Sequence, residues 1–192
     1  MMINLPGIVV SAPKDGNELD NLLLTALKSN VPFCIRYPKS NSINYHQTNI
    51  SKTLNIDSWE YIKRGKRIAI LATGSMVEIA TQSIDIITEK FNFIPTVVNC
   101  RFLKPFDKEC LNEIISNHDL IITMEEGSLM GGFGSTILDY CKRDNIKVES
   151  MGIKDSYIEH GSRQELLDLV GLNSKSLINL INDHINDRLG DN

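Results

Sequence analysis

Two rhythms of apolar and polar residues alternate along this chain: short continuous apolar runs, and longer stretches with apolar residues three and four apart. The first reads as buried strand and the second as amphipathic helix. Gly7-Ile8-Val9-Val10-Ser11 is a short apolar run that Pro13 ends. Asp15 and Glu18 then have the spacing of a capping box, ahead of Leu19, Leu22, Leu23, Ala26 and Leu27 on one helical face. Val31 to Arg36 supplies a second strand. One βαβ unit cannot cover both faces of its own parallel pair, so residues 1–40 are expected to close a larger domain.

Residues 41–66 are rich in Asn, Ser and Lys, with Tyr45, Leu54, Ile56 and Trp59 as anchoring side chains. A connection this long inside one compact domain is uncommon, so 41–66 is expected to be a linker between domains. From residue 67 to 192 the alternation is regular. Strands are expected at Arg67–Ala72, Thr96–Cys100, Leu120–Met124 and Lys147–Met151. Ser75 with Glu78, Asp107, Ser162 with Glu165, and Ser174 open the helices, and a further helix runs from about Gly134 to Arg143. Alternating elements of this length predict an α/β fold, a mostly parallel sheet with helices on both faces.

Composition narrows the class of function. Of 192 residues, 42% are hydrophobic and 23% charged, enough for a packed core. A net charge of −4 argues against general binding to nucleic acid or to an anionic membrane. The one basic cluster, Lys63-Arg64-Gly65-Lys66-Arg67, precedes a strand and reads as a solvated turn. Cys34, Cys100, Cys110 and Cys141 show neither C-x-x-C pairing nor metal-ligand spacing, which suits small core residues in a reducing compartment. There is no membrane-length apolar run and no signal-peptide pattern at the start, so a cytoplasmic protein is expected.

Four segments could carry chemistry. Arg36 directly follows a buried strand and precedes Pro38, and an arginine so placed can grip a phosphate with two parallel hydrogen bonds or form a surface ion pair. Thr73-Gly74-Ser75 lies between a strand and a helix, where backbone N–H groups can hold an anion or simply make a tight turn. Glu125-Glu126 ends a strand before the glycine-rich Gly131-Gly132-Phe133-Gly134. Adjacent carboxylates suggest acid–base work, but successive strand residues point to opposite faces, and the glycines serve equally for close packing. His160 precedes a helix N-cap as a site residue or a loop stabiliser; His46, His118 and His184 read as surface residues.

Taken together, "GIVVSAPKDGNEL", "CIRYPKSN", "AILATGSMVEIA", "VVNCRFLKPFD", "TMEEGSLMGGFGS" and "IEHGSRQELLDLVGL" resemble, in order and spacing, the C-terminal third of the 1-deoxy-D-xylulose-5-phosphate synthase family of the transketolase superfamily. The resemblance covers nearly the whole chain. It implies that residues 1–40 end a pyrimidine-binding domain and that 67–192 form a transketolase-type C-terminal domain. It further implies that Arg36 binds the phosphate of glyceraldehyde 3-phosphate, with His160 secondary, and that the complete enzyme is a homodimer using thiamine diphosphate and magnesium to condense that substrate with pyruvate. Lys39-Ser40 stands where the family commonly has Arg-Gly. The family's cofactor motif, activating glutamate and site histidines would lie upstream, so the chain alone is expected to be inactive and to bind neither cofactor nor metal. Two alternatives stay open: the C-terminal part of another transketolase-like enzyme, such as a split transketolase or a 2-oxo acid dehydrogenase β subunit, and a non-catalytic α/β interaction domain.

Overall fold

Asp15 accepts the backbone N–H of Glu18 at 2.8 Å and so starts helix α1 (Gly16–Lys28), which connects two short parallel strands, β1 (Val9–Ser11) and β2 (Phe33–Ile35). The computed structural model of the chain describes residues 2–39 and 50–190, with side chains as far as residue 187. Ser40, Tyr45 and His46, named above, lie outside the described residues.

The second part of the chain builds a five-stranded sheet from β3 (Glu60–Lys63), β4 (Arg67–Ala72), β5 (Thr96–Asn99), β7 (His118–Ser128) and β8 (Lys147–Ile153), in the order β3-β5-β4-β7-β8. All neighbours are parallel except β3, which runs antiparallel to β5 at the edge. Ile68 to Ala72 are all buried, because β4 is central and covered on both faces; that is why its sequence shows no alternation. On one face Ile68, Ile70, Leu120 and Ile122 pack under α2 (Met76–Phe91), α5 (Arg163–Leu169) and α6 (Ser174–Gly190). On the other, Ala69, Leu71, Val98 and Ile121 pack under α3 (Lys108–Asn117) and α4 (Phe133–Cys141). This is the expected mostly parallel α/β sheet with helices on both faces.

Two strands were not expected. β6 (Phe102–Lys104) pairs antiparallel with β1, making a three-stranded sheet in the order β2-β1-β6. The first unit is therefore completed by a strand from the second. β3 falls inside the stretch expected to be a linker, whose Trp59 is also buried, its indole N–H donating to Phe102 O at 2.8 Å. Leu54 and Ile56 pack beside Val9, Leu22 and Phe102.

Three local expectations need correction. Leu23 and Leu27 on α1 are 46% and 84% exposed, and the buried stripe is Glu18, Leu22 and Thr25, because the three-stranded sheet lies under only one side of the helix. Ser75 does not cap α2; its backbone is already helical and its hydroxyl donates to Glu126 instead. His184 is buried with the inward face of α6, and His118 is half-buried, its Nε2 2.7 Å from Thr96 Oγ1. The tertiary packing around α6 and the start of β7, not local polarity, decides this.

Candidate functional site

Both sheets present carboxyl strand ends to one crevice. Beyond β2, the Arg36 amide donates to Ser11 O at 2.8 Å, extending the parallel pairing by one residue and aiming the side chain past the strand ends. Beyond β4, the chain turns through Thr73, Gly74 and Ser75 into α2, with the Thr73 amide tied to Met124 O at 3.0 Å. Glu126 lies near the end of β7. These segments enclose an open pocket of about 400 Å3 walled by Arg36, Tyr37, Thr73, Gly74, Ser75 and Glu126. β5 lies on one side of β4 and β7 on the other, so connections diverge here, which is where open α/β sheets take ligands.

Three segments singled out separately in the sequence thus converge. Arg36 Nη2 donates to the backbone carbonyl of Glu126 at 3.2 Å, its one hydrogen bond among the described residues, which leaves the rest of the guanidinium fork for a ligand. The Glu126 carboxylate accepts from Ser75 Oγ at 2.7 Å and from Arg163 at 3.2 Å (Nε) and 2.5 Å (Nη2). A guanidinium beside a strand-to-helix turn can receive an oxyanion with charge-assisted hydrogen bonds.

The adjacent carboxylate does something else. Glu125 is wholly buried on the opposite face of β7, where it accepts the Gly134 amide at 2.9 Å at the start of α4. Burial pushes its carboxyl above the usual range, opposed by the Gly134 and Phe133 amides and by the charge of Arg36. The glycine-rich turn lets this happen. A Cβ on Gly132 would sit 2.1 Å from Ser128 O and 2.5 Å from Glu125 Oε1, and one on Gly134 would sit 2.7 Å from the hydroxyls of Thr123 and Ser150. His160 is exposed in the loop before α5 and is not among the pocket's walls.

Sequence reading missed a second polar cluster. Asn99 Nδ2 donates to Glu18 at 2.8 and 3.1 Å and to Glu60 at 3.1 Å, while Lys14 Nζ reaches Glu60 at 2.7 Å and Arg101 Nη1 reaches Glu18 at 3.5 Å. Burial raises the Glu18 carboxyl above its ordinary value despite the charges of Lys14 and Arg101. On Glu60 burial is outweighed by hydrogen bonds from Lys14 and Asn99, which hold it below. The available signal was an amide inside the apolar run Val97-Val98-Asn99-Cys100. All four cysteines are free thiols, and burial first of all pushes Cys110 and Cys141 up to about 11. Among the described residues no group of three or more His, Cys, Asp or Glu side chains is placed to hold a metal ion, and no helix is long and apolar enough to cross a membrane.

The comparison with known proteins agrees with this architecture: residues 57–177 match the family described as transketolase, C-terminal domain. The chain belongs to that family. Within it, the chain is 41% identical over 175 residues to a 1-deoxy-D-xylulose-5-phosphate synthase of Dictyoglomus thermophilum, covering 90% of this chain and 28% of that protein. It is 37% identical over 179 residues to the synthase of Lysinibacillus sphaericus, covering 91% and 28%. The chain thus spans under a third of the length of these relatives. Among solved structures it resembles a split-gene transketolase described as an inactive beta4 tetramer, with a TM-score of 0.81, 26% identity, and coverage of 95% of this chain and 59% of that one. Transketolase from Campylobacter jejuni shares the fold, with a TM-score of 0.65, 20% identity, and coverage of 93% and 26%.

Proposed function

We propose that this chain supplies the C-terminal part of a thiamine-diphosphate-dependent transferase of the 1-deoxy-D-xylulose-5-phosphate synthase type, which joins pyruvate to glyceraldehyde 3-phosphate with loss of carbon dioxide. The observation that carries the reading is the identity to two such synthases over nine tenths of the chain, together with an Arg36 whose guanidinium, in a strand-end pocket, makes a single hydrogen bond among the described residues. Arg36 receives the phosphate of glyceraldehyde 3-phosphate and so orients its aldehyde; His160, in the loop before α5 and outside the pocket's walls, is the secondary candidate. The cofactor and its magnesium are held by residues other than those described, and they supply the carbanion chemistry. The chain divides into the end of a pyrimidine-binding domain over 1–40, a connection over 41–66 whose last residues supply the edge strand β3, and a C-terminal domain over 67–192, and the complete enzyme works as a homodimer in the cytoplasm.

The split-gene transketolase, a structure in which the matching chain is an inactive tetramer, supports a second reading: a separate subunit that needs a cofactor-binding partner chain. One experiment separates and tests both. In the cofactor-loaded enzyme, Arg36→Ala should raise KM for glyceraldehyde 3-phosphate roughly 10- to 150-fold, the worth of a charge-assisted pair, with little change for pyruvate. Equal effects on both substrates would overturn the phosphate role. Ketol transfer between sugars without deoxyxylulose phosphate formation would select the transketolase reading.

A further inference from the structure

A pocket meant for a phosphate should not carry an uncompensated carboxylate on its wall, yet Glu126 is there beside Arg36. What removes the conflict is Arg163, at the first position of α5, which engages both carboxylate oxygens of Glu126 through Nε and Nη2. Arg163 is not itself among the pocket's walls. The pair is 37 residues apart in sequence and ties α5 to the end of β7, while Ser75 ties the same carboxylate to the start of α2. With side-chain exposures of 38% and 31%, such a pair adds little to stability, so its consequence lies in the field inside the crevice.

We infer that Arg163 is a positioning residue of this site, which by neutralising and holding Glu126 makes the pocket accept a phosphate monoester at Arg36. This rests on the phosphate reading of Arg36 given above. Without Arg163, the freed carboxylate would attract the Arg36 guanidinium and repel an incoming phosphate. One unscreened like charge within such a crevice weakens binding on the order of tenfold. The device acts through charge rather than shape, so removing the second charge should undo the damage.

The test is titration of inorganic phosphate into the full chain, followed by phosphorus NMR. The wild type should bind saturably, and Arg36→Ala should abolish binding. Arg163→Met should weaken it by about tenfold, Arg163→Lys should weaken it much less, and the double variant Arg163→Met with Glu126→Gln should return close to wild type. Circular dichroism of each variant checks the fold. If Arg36→Ala loses binding but Arg163→Met does not, this inference falls and the phosphate reading stands. If the double variant stays as weak as Arg163→Met, Arg163 acts through packing and the inference again falls. Unchanged binding in Arg36→Ala, or none in the wild type, would overturn the phosphate reading and this inference with it.

Discussion

Asn99 Nδ2 lies 2.8 Å from Glu18 Oε1, a hydrogen bond that joins the end of β5 to the first turn of α1 across 81 residues of chain. Both residues are almost entirely buried. Glu18 also accepts the Lys14 amide at 2.7 Å and faces the charge of Arg101, so one carboxylate holds the first unit onto the second. A buried carboxylate is tolerable only with such partners.

Replacing Asn99 with Leu should therefore cost about 1–3 kcal/mol, since it strips a donor from a buried acceptor. The pH dependence of Glu18→Gln gives an independent check. Burial holds the folded Glu18 carboxyl above its ordinary value of 4.5, so the folded state keeps this proton longer than the unfolded state. Its stabilising contribution is greatest below that ordinary value and is lost as pH rises through the raised folded value. Urea unfolding from pH 4 to 8 should show the advantage of wild type over Glu18→Gln shrinking as pH rises. An advantage that grows with pH would mean that Lys14 and Arg101 win over burial.

Phe102 is wholly buried between the two units, stacked edge-on to Phe33 at 6.3 Å and packed on Val9 and Leu22. Phe102→Ala should destabilise the chain by about 3–5 kcal/mol. Because β6 pairs with β1, both wild type and variant should unfold in one transition, seen alike by Trp59 fluorescence and far-ultraviolet circular dichroism. Two separated transitions would mean that residues 2–39 form a free-standing unit.

Alanine substitutions in the glycine-rich turn and in the loop before α5 offer a contrast. At Gly132 a methyl would meet the Ser128 carbonyl oxygen at 2.1 Å, a backbone atom that cannot move aside, whereas at Gly161 it would meet Leu166 Cδ2 at 3.2 Å, the end of a flexible side chain. Gly132→Ala should cost about 1–3 kcal/mol or more by overpacking, and Gly161→Ala less than about 0.5 kcal/mol, compared by thermal unfolding. Equal costs would mean that the Glu125 cradle is not tight.

Much of the fold could be read without coordinates where a signal was local. Ile68–Ala72 and Leu120–Met124 are uniformly apolar because each is covered on both faces, and Asp15, Asp107 and Ser162 cap the helices they precede. The short β3 and β6 were missed, since three or four residues give no periodicity, and β6 owes its pairing to β1, roughly 90 positions earlier. Leu23 and Leu27 read as core because spacing says which residues share a face but not whether anything covers it.

At the site the division is sharper. By itself the sequence determined which groups were available: an arginine after a strand, a Thr-Gly-Ser turn before a helix, and paired carboxylates whose alternation sends Glu125 inward and Glu126 into the crevice. These follow from backbone geometry that acts over a few residues. Only the tertiary structure decided that Arg36, Ser75 and Glu126 line one pocket, that Arg163 pairs with Glu126, and that Asn99 gathers Glu18 and Glu60. Those contacts join positions 37 to 90 residues apart, set by strand order and register, and no local pattern of side chains encodes the order in which strands pack.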